Sequence, residues 1–450
     1  MNNVLSLFQS NKMGVTQEEV DVFVTKAYNE NPEACVRTIF HIRDIRSGQG
    51  YRDYFRKAMV TLSKLNEKVS IQLLEKVAEY GRYDDLIYIS GNKNIEAKAL
   101  SIYSRELLAG NTMAAKWTPR ESSKNNNKKF FAKRLRNYMK LDAKSFRKLV
   151  SGLTNVAEQK MAANKWNDIE YEGLPSICLA RSMNAFTKHD EERINDYLSK
   201  VKSGDANINT STLDPIGVFM QRETLDSDII QVFWDNLENT IPEGVSVLSI
   251  IDTSGSMDED VPNTNYTALD VALSFGSYVA TKSTGIWKNM FVNYDDNARL
   301  HYIPNDMPIK DVFDFVESTD WGGGTSIESS INSIISFLKD NNLDDVPDYL
   351  VIFSDMELNG DIRIEDAPAL MKKMFTDAGF NKVPVIVNWN ICGDSMPNAD
   401  VGNGFINVTG FGKNTLTTIL TSPSDITPMN MMKETIYNGR YDSLLDWKTL

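Results

Sequence analysis

Three oxygen-bearing side chains stand at alternate positions in Asp252-Thr-Ser-Gly-Ser256, directly after the apolar, β-branched run Val245 to Ile251. The run has the length and branching of a largely buried strand. A loop curling over the end of such a strand can turn Asp252, Ser254 and Ser256 toward one centre, an arrangement that hard divalent cations require. Two later stretches would complete a shell: Trp321-Gly-Gly-Gly-Thr-Ser326, which leads into a helical pattern, and Tyr349-Leu-Val-Ile-Phe-Ser-Asp355, a second apolar strand ending in Asp. The alternative, a loop that merely caps the next helix with Ser and Asp, leaves Thr325 and Asp355 unexplained. Because Ser254, Ser256 and Thr325 are neutral, a bound cation would be compensated by Asp252 and Asp355 alone.

Taken in order, Asp252, Ser254, Ser256, Thr325 and Asp355 resemble the metal-ion-dependent adhesion site of von Willebrand factor A domains, and the resemblance covers roughly residues 243–425. It implies Mg²⁺ (or Mn²⁺), carboxylates that often act through water, and one open position for an Asp, Glu or phosphate oxygen from a partner. Such a site grips rather than cleaves. Paired aspartates on a metal can activate water, but no third carboxylate, His or Lys accompanies them at a recognisable spacing. Asp258, Glu259 and Asp260 read as a solvated acidic turn, so no enzymatic activity is expected.

The elements that must position these residues alternate strand and helix, which predicts a mainly parallel sheet covered on both faces. Strands are expected at 289–294, 299–303 (an edge), 349–354, 383–389 and 404–408, with helices over 265–282, 308–317, 325–339 and 367–378. In such sheets ligands bind beyond the carboxyl ends of strands, where Asp252 and Asp355 fall.

At 450 residues, 42% apolar and 24% charged, the chain has the composition of a globular protein with two or more domains. No apolar run approaches the ~20 residues of a membrane span, and the N-terminus lacks a signal-peptide pattern, so a cytoplasmic protein without a membrane partner is expected. Cys35, Cys178 and Cys392 are odd in number and far apart, which suggests neither disulfides nor a cysteine metal site. His41, His189 and His301 are equally scattered. The net charge of −13 hides an asymmetry: between Asn111 and Val150 twelve Lys and Arg face only Glu121 and Asp142. Local sign decides what a patch can bind.

From Thr16 to about Lys202 apolar residues recur at helical spacing, first over 18–29, 32–46, 51–65 and 69–80. Similar lengths and tight connections suggest stacked helix pairs, with an irregular bundle as the alternative. Arg43, Arg46 and Arg52 cluster about a break at Gly48 and Gly50. They can contact phosphate or pair with Asp44, Asp53, Asp84 and Asp85, and the two readings weigh evenly; for Arg82 the structural pairing is favoured. Lys116-Trp-Thr-Pro-Arg120 leads through Lys128 and Lys129 into a basic helix carrying Lys133, Arg134 and Arg136. This charge density reads as a phosphate-binding surface, whereas Phe130, Phe131, Leu135 and Tyr138 are expected to point inward.

A helical domain followed by an A domain looks like the Ro ribonucleoprotein family, whose helical part is the TROVE module. The likeness is closer to a related, largely uncharacterised family of phage, bacterial, plant and fungal proteins. It rests on Arg43-Asp44 to Gly48, Gly81-Arg82 to Asp85, Lys116-Trp117 with Pro119, Leu174-Pro175-Ser176, His189-Asp190 and Phe353-Ser-Asp-Met-Glu357. The resemblance implies an α + α/β chain: a HEAT-like helical repeat domain over 1–240, an A domain over 241–425 and a helical tail over 426–450. It further implies a non-catalytic protein holding small structured RNA or single-stranded RNA ends. The expected contacts are Arg43, Arg46, Lys116, Arg120, Lys128, Lys129, Lys133, Arg134 and Arg136, while the A domain docks a protein carboxylate. The alternative function is a metal-dependent protein-interaction adaptor or virion component without a nucleic-acid role.

Overall fold

The computed structural model describes residues 1–10, 15–89, 92–209, 213–261, 264–294, 296–319, 326–355, 367–392, 405–409, 413–420 and 428–447. The chain forms two compact units, one from residues up to 170 and from 432 onward, the other from 171 to 431.

The first unit is helical, and local chemistry places its helix starts. Thr16 and Glu19 form a reciprocal capping box on Gln17–Glu30, Asn31 caps Pro32–Arg43 with Pro at its first position, and Asn92, Asn125 and Asp142 cap Lys93–Leu108, Asn126–Tyr138 and Ala143–Leu153. Each cap oxygen accepts from an N–H that lacks a partner within the helix. Neighbouring helices pack on one another, burying Val20, Val24, Phe40, Phe55 and Leu62. The helix expected over 32–46 stops at Arg43, because Asp44 turns extended and its carboxylate accepts from the Arg46 N–H at 3.0 Å. Helix Pro428–Ile436 is followed by turns that pack into this same unit. There Tyr441 is buried, its ring stacked on Tyr80 at 5.6 Å, and Arg440 reaches Asp44 at 2.8 Å.

The second unit holds a six-stranded sheet: β1 (Val247–Asp252), β2 (Met290–Tyr294), β3 (Leu300–Tyr302), β4 (Tyr349–Ser354), β5 (Val385–Asn390) and β6 (Phe405–Thr409). The spatial order is β3-β2-β1-β4-β5-β6, parallel throughout except for β3, which lies at the edge as expected and runs antiparallel. Side chains alternate between faces. Leu248, Ile250, Val292, Leu350 and Ile352 pack with Ile331 and Ile334 of helix Ile327–Asp340, while Phe275 of helix Ala268–Lys282 meets Phe353 and Trp389. Gly276 lets that second helix approach β1: an added Cβ would lie 2.4 Å from Ile251 Cδ1.

Helical periodicity aligns residues 171–240 with the N-terminal helices, yet they pack in the sheet unit. Trp234 and Phe219 meet Phe313 edge-on at 5.2 and 4.9 Å, and the Thr240 N–H donates to the Tyr278 hydroxyl at 2.9 Å. By packing these residues belong with the sheet, and periodicity alone cannot tell which core a helix joins. No helix among the described residues is long and apolar enough to cross a membrane.

Candidate functional site

Chain order brings Asp252 and Asp355 together. After β1 the chain builds β2 and β3 on one side and then returns to build β4 on the other, so the ends of β1 and β4 flank the point where strand order reverses. At such a point the following loops splay apart and leave a crevice. Asp252 is the last residue of β1 and Asp355 follows the last residue of β4.

Asp252 is fully buried. One oxygen accepts from the Ser254 N–H at 2.9 Å, the other from the Ser354 hydroxyl at 2.6 Å, and the Ser254 and Ser256 hydroxyls lie 3.1 Å apart. Burial pushes the Asp252 carboxyl up to about 6 against these hydrogen bonds, and the like charge of Asp355 adds to the effect. A desolvated carboxylate beside a second carboxylate and two hydroxyls is a donor set suited to a hard cation, whose charge would relieve both penalties. Thr325 lies outside the described residues. Helix Ile327–Asp340 begins with a cap from Ser326. Asp258, Glu259 and Asp260 are exposed, as a solvated acidic turn should be.

Sequence reasoning missed Ser354 and Tyr294. Both share a sheet face with Asp252, and strand alternation together with register was the available signal. Tyr294 stands opposite Asp252 on β2, and among the described residues its buried hydroxyl has no hydrogen-bond partner.

The basic residues divide by environment. Arg43 is sealed inside the helical unit with its Nε 2.9 Å from Asp85, so it cannot serve as the RNA contact expected. Arg56 completes this buried cluster at 2.7 Å from Asp85, and a Cβ on Gly81 would strike both Asp85 and Arg43. Arg82 stacks on Trp117, and among the described residues it does not form the side-chain ion pair expected of it. The Lys116-Trp117 motif is thus tied to the Gly81-Arg82 motif structurally, with the Lys116 ammonium 5.9 Å from the same ring. Asp190 accepts from the Tyr171 hydroxyl and Arg193, while the Ser176 N–H bonds to the Asn209 carbonyl. These motifs therefore build the fold.

Of the remaining expected contacts, Arg46 is exposed and donates to the Glu79 carbonyl, Lys128 lies 3.8 Å from Asp84, Arg134 pairs with Glu96, and Arg136 bonds Glu121 at 2.6 Å. Among the described residues no ion pair engages Lys116, Arg120, Lys129 or Lys133. The aromatics depart from expectation. Phe131 and Leu135 are buried, but Phe130 is 51% and Tyr138 49% exposed. The outer face of helix Asn126–Tyr138 thus carries Phe130, Arg134 and Tyr138 on successive turns beside Lys133 and Asn137.

Two family models match, each described as a domain of unknown function: DUF2828 over residues 98–245 and DUF7788 over residues 246–438. The uncharacterized protein L728 of Acanthamoeba polyphaga mimivirus is 24% identical over 470 aligned positions, covering 90% of this chain and 80% of its own. The crystal structure of the Deinococcus radiodurans RO (RSR) protein superposes with a TM-score of 0.53 at 12% identity, covering 92% of this chain and 93% of that one. The chain therefore has a Ro-like fold, helical units joined to a mostly parallel sheet.

Proposed function

We propose that this is a non-catalytic RNA-binding protein whose basic helices hold RNA, and whose sheet unit is a von Willebrand factor A-type domain that binds Mg²⁺ (or Mn²⁺) and docks a protein. The observation that carries the RNA reading is the outer face of helix Asn126–Tyr138. Two half-exposed rings, Phe130 and Tyr138, stand about 12 Å apart along the axis with Arg134 between them and Lys133 alongside. Cations on such a face neutralise phosphates, and rings beside them stack on unpaired bases, each stacked base contributing about 1–3 kcal/mol. The net charge of −13 does not oppose this, since screening limits distant acidic residues to about a Debye length of ~8 Å.

In the sheet unit Asp252, Ser254, Ser256 and Asp355, joined by Thr325, would hold the cation. Bound there, it would supply a Lewis-acidic position open to a carboxylate from a protein partner. Burial of Asp252 and its bonds to Ser354 and Ser254 keep the carboxylate oriented.

The test is electrophoretic mobility of the full chain with single-stranded and structured RNA at several salt concentrations. Lys129 and Lys133 are the informative charge reversals, because changing Lys128 or Arg134 would also disturb Asp84 and Glu96. Lys129→Glu with Lys133→Glu should weaken both RNAs and flatten the salt dependence. Phe130→Ala with Tyr138→Ala should weaken single-stranded RNA selectively. An unchanged or absent mobility shift would remove the RNA role and leave a protein-docking module.

A further inference from the structure

Tyr294 is a buried polar group without a hydrogen-bond partner among the described residues. It closes β2, its ring packs in the apolar cluster with Ile250, Val292, Ile327 and Ile331, and it is 2% exposed. Among the described residues its hydroxyl makes no hydrogen bond. Buried phenols ordinarily find a partner, since desolvating an unpaired hydroxyl destabilises the folded state.

Register shows where a partner would come from. Asp252 pairs with Tyr294 on one flank, and Ile251 pairs with Phe353 on the other, so Tyr294, Asp252 and Ser354 form one row across the ends of β2, β1 and β4. All three lie two residues beyond Val292, Ile250 and Ile352, and hence on the same face of the sheet. Ser354 spends its hydroxyl on Asp252 Oδ2, and the Ser254 N–H takes Oδ1. Tyr294 is the member of the row whose polar atom is unspent. Register sets Tyr294 directly beside Asp252 at the carboxyl end of the sheet.

We propose that Tyr294 is a positioning residue of the cation site, its hydroxyl bonding into the hydration shell of the divalent ion that Asp252 and Asp355 hold. This rests on the metal-binding reading above. A neutral phenol is a poor direct ligand for Mg²⁺ but both donates and accepts a hydrogen bond, and hydrogen-bonding groups just outside a metal's ligands orient those ligands. The missing partner is thus the ion's water, and the protein stores an unsatisfied hydroxyl that metal binding relieves.

Calorimetric titration of MgCl₂ and MnCl₂ into the full chain, with thermal unfolding before and after saturation, separates the claims. Wild type should bind and Asp252→Ala should not, which tests the reading itself. Tyr294→Phe should bind about tenfold more weakly. Without metal its Tm should equal or exceed that of wild type, because an unpaired hydroxyl has been removed, and its rise on adding metal should be smaller. If Tyr294→Phe binds as tightly as wild type while Asp252→Ala fails to bind, the role of Tyr294 is refuted and the site stands. A lower metal-free Tm with undiminished affinity would assign the hydroxyl a protein partner and also overturn the proposal. Absence of binding by wild type would remove both.

Discussion

Arg43 and Arg134 carry the same charge, and their surroundings decide what that charge does. Arg43 and Asp85 are almost wholly excluded from solvent and paired at 2.9 Å, so the guanidinium compensates a buried carboxylate and is unavailable to a ligand. Arg134 is exposed on a helix whose next turns offer rings. His41 shows the same principle with a titratable group. It stacks on Phe8 at 5.3 Å, lies 3.2 Å from the Tyr441 hydroxyl, and sits near Asp44, which itself pairs with Arg440. Burial lowers its pKa to about 4 from 6.5, against the pull of Asp44. The unfolded chain therefore binds more protons between these values, and stability rises with pH across the window: it is complete above about 6.5 and lost as pH falls toward 4. The limit is roughly 3 kcal/mol. Urea unfolding at pH 7 and pH 4.5 should show His41→Phe losing less stability than wild type over that interval, and equal losses would assign the acid sensitivity to other groups.

At the scale of elements, helix Asn126–Tyr138 is basic, as its sequence predicts, yet buries only part of its aromatic set. Phe131 and Leu135 lie four apart on one face and fill the core; Phe130 and Tyr138 lie off that face, and hydrophobicity could not say so. The strands were legible because β1 and β4 are buried along their whole length, which leaves continuous apolar runs. The packing of helix Ala268–Lys282 on β1 depends on Gly276, and Gly276→Ala should cost about 1–3 kcal/mol by overpacking against Ile251. Ile251→Val in the same chain removes the Cδ1 that the new methyl would meet and should recover part of the loss. Additive destabilisation in a double-mutant cycle would show that the two sites do not meet.

At the scale of the whole molecule, residues from 432 onward return to the unit in which the chain began. Arg440 pairs with Asp44 across 396 positions of sequence, and Tyr80 donates to the Arg440 carbonyl at 2.8 Å. Asp44 is buried but Arg440 is 27% exposed, and Asp44 still accepts from the Arg46 N–H and Tyr441, so Arg440→Ala should cost about 1–3 kcal/mol. Hydrogen exchange followed by mass spectrometry should then show lost protection in Pro32–Arg43 and Val77–Tyr80 and none in β1 or β4. Protection lost equally in both units would instead mark them as one cooperative body. By itself the sequence determined the helix starts, the parallel sheet and the oxygen-rich strand ends, because caps, alternation and buried runs are local and each residue type reports its own preference. The tertiary structure alone decided that Arg43 is a core residue, that 171–240 joins the sheet and that the last segment completes the first unit. It also brought Tyr294 and Ser354 beside Asp252. These depend on register and on contacts between residues far apart in sequence, and no local preference encodes which distant surface a given face will meet.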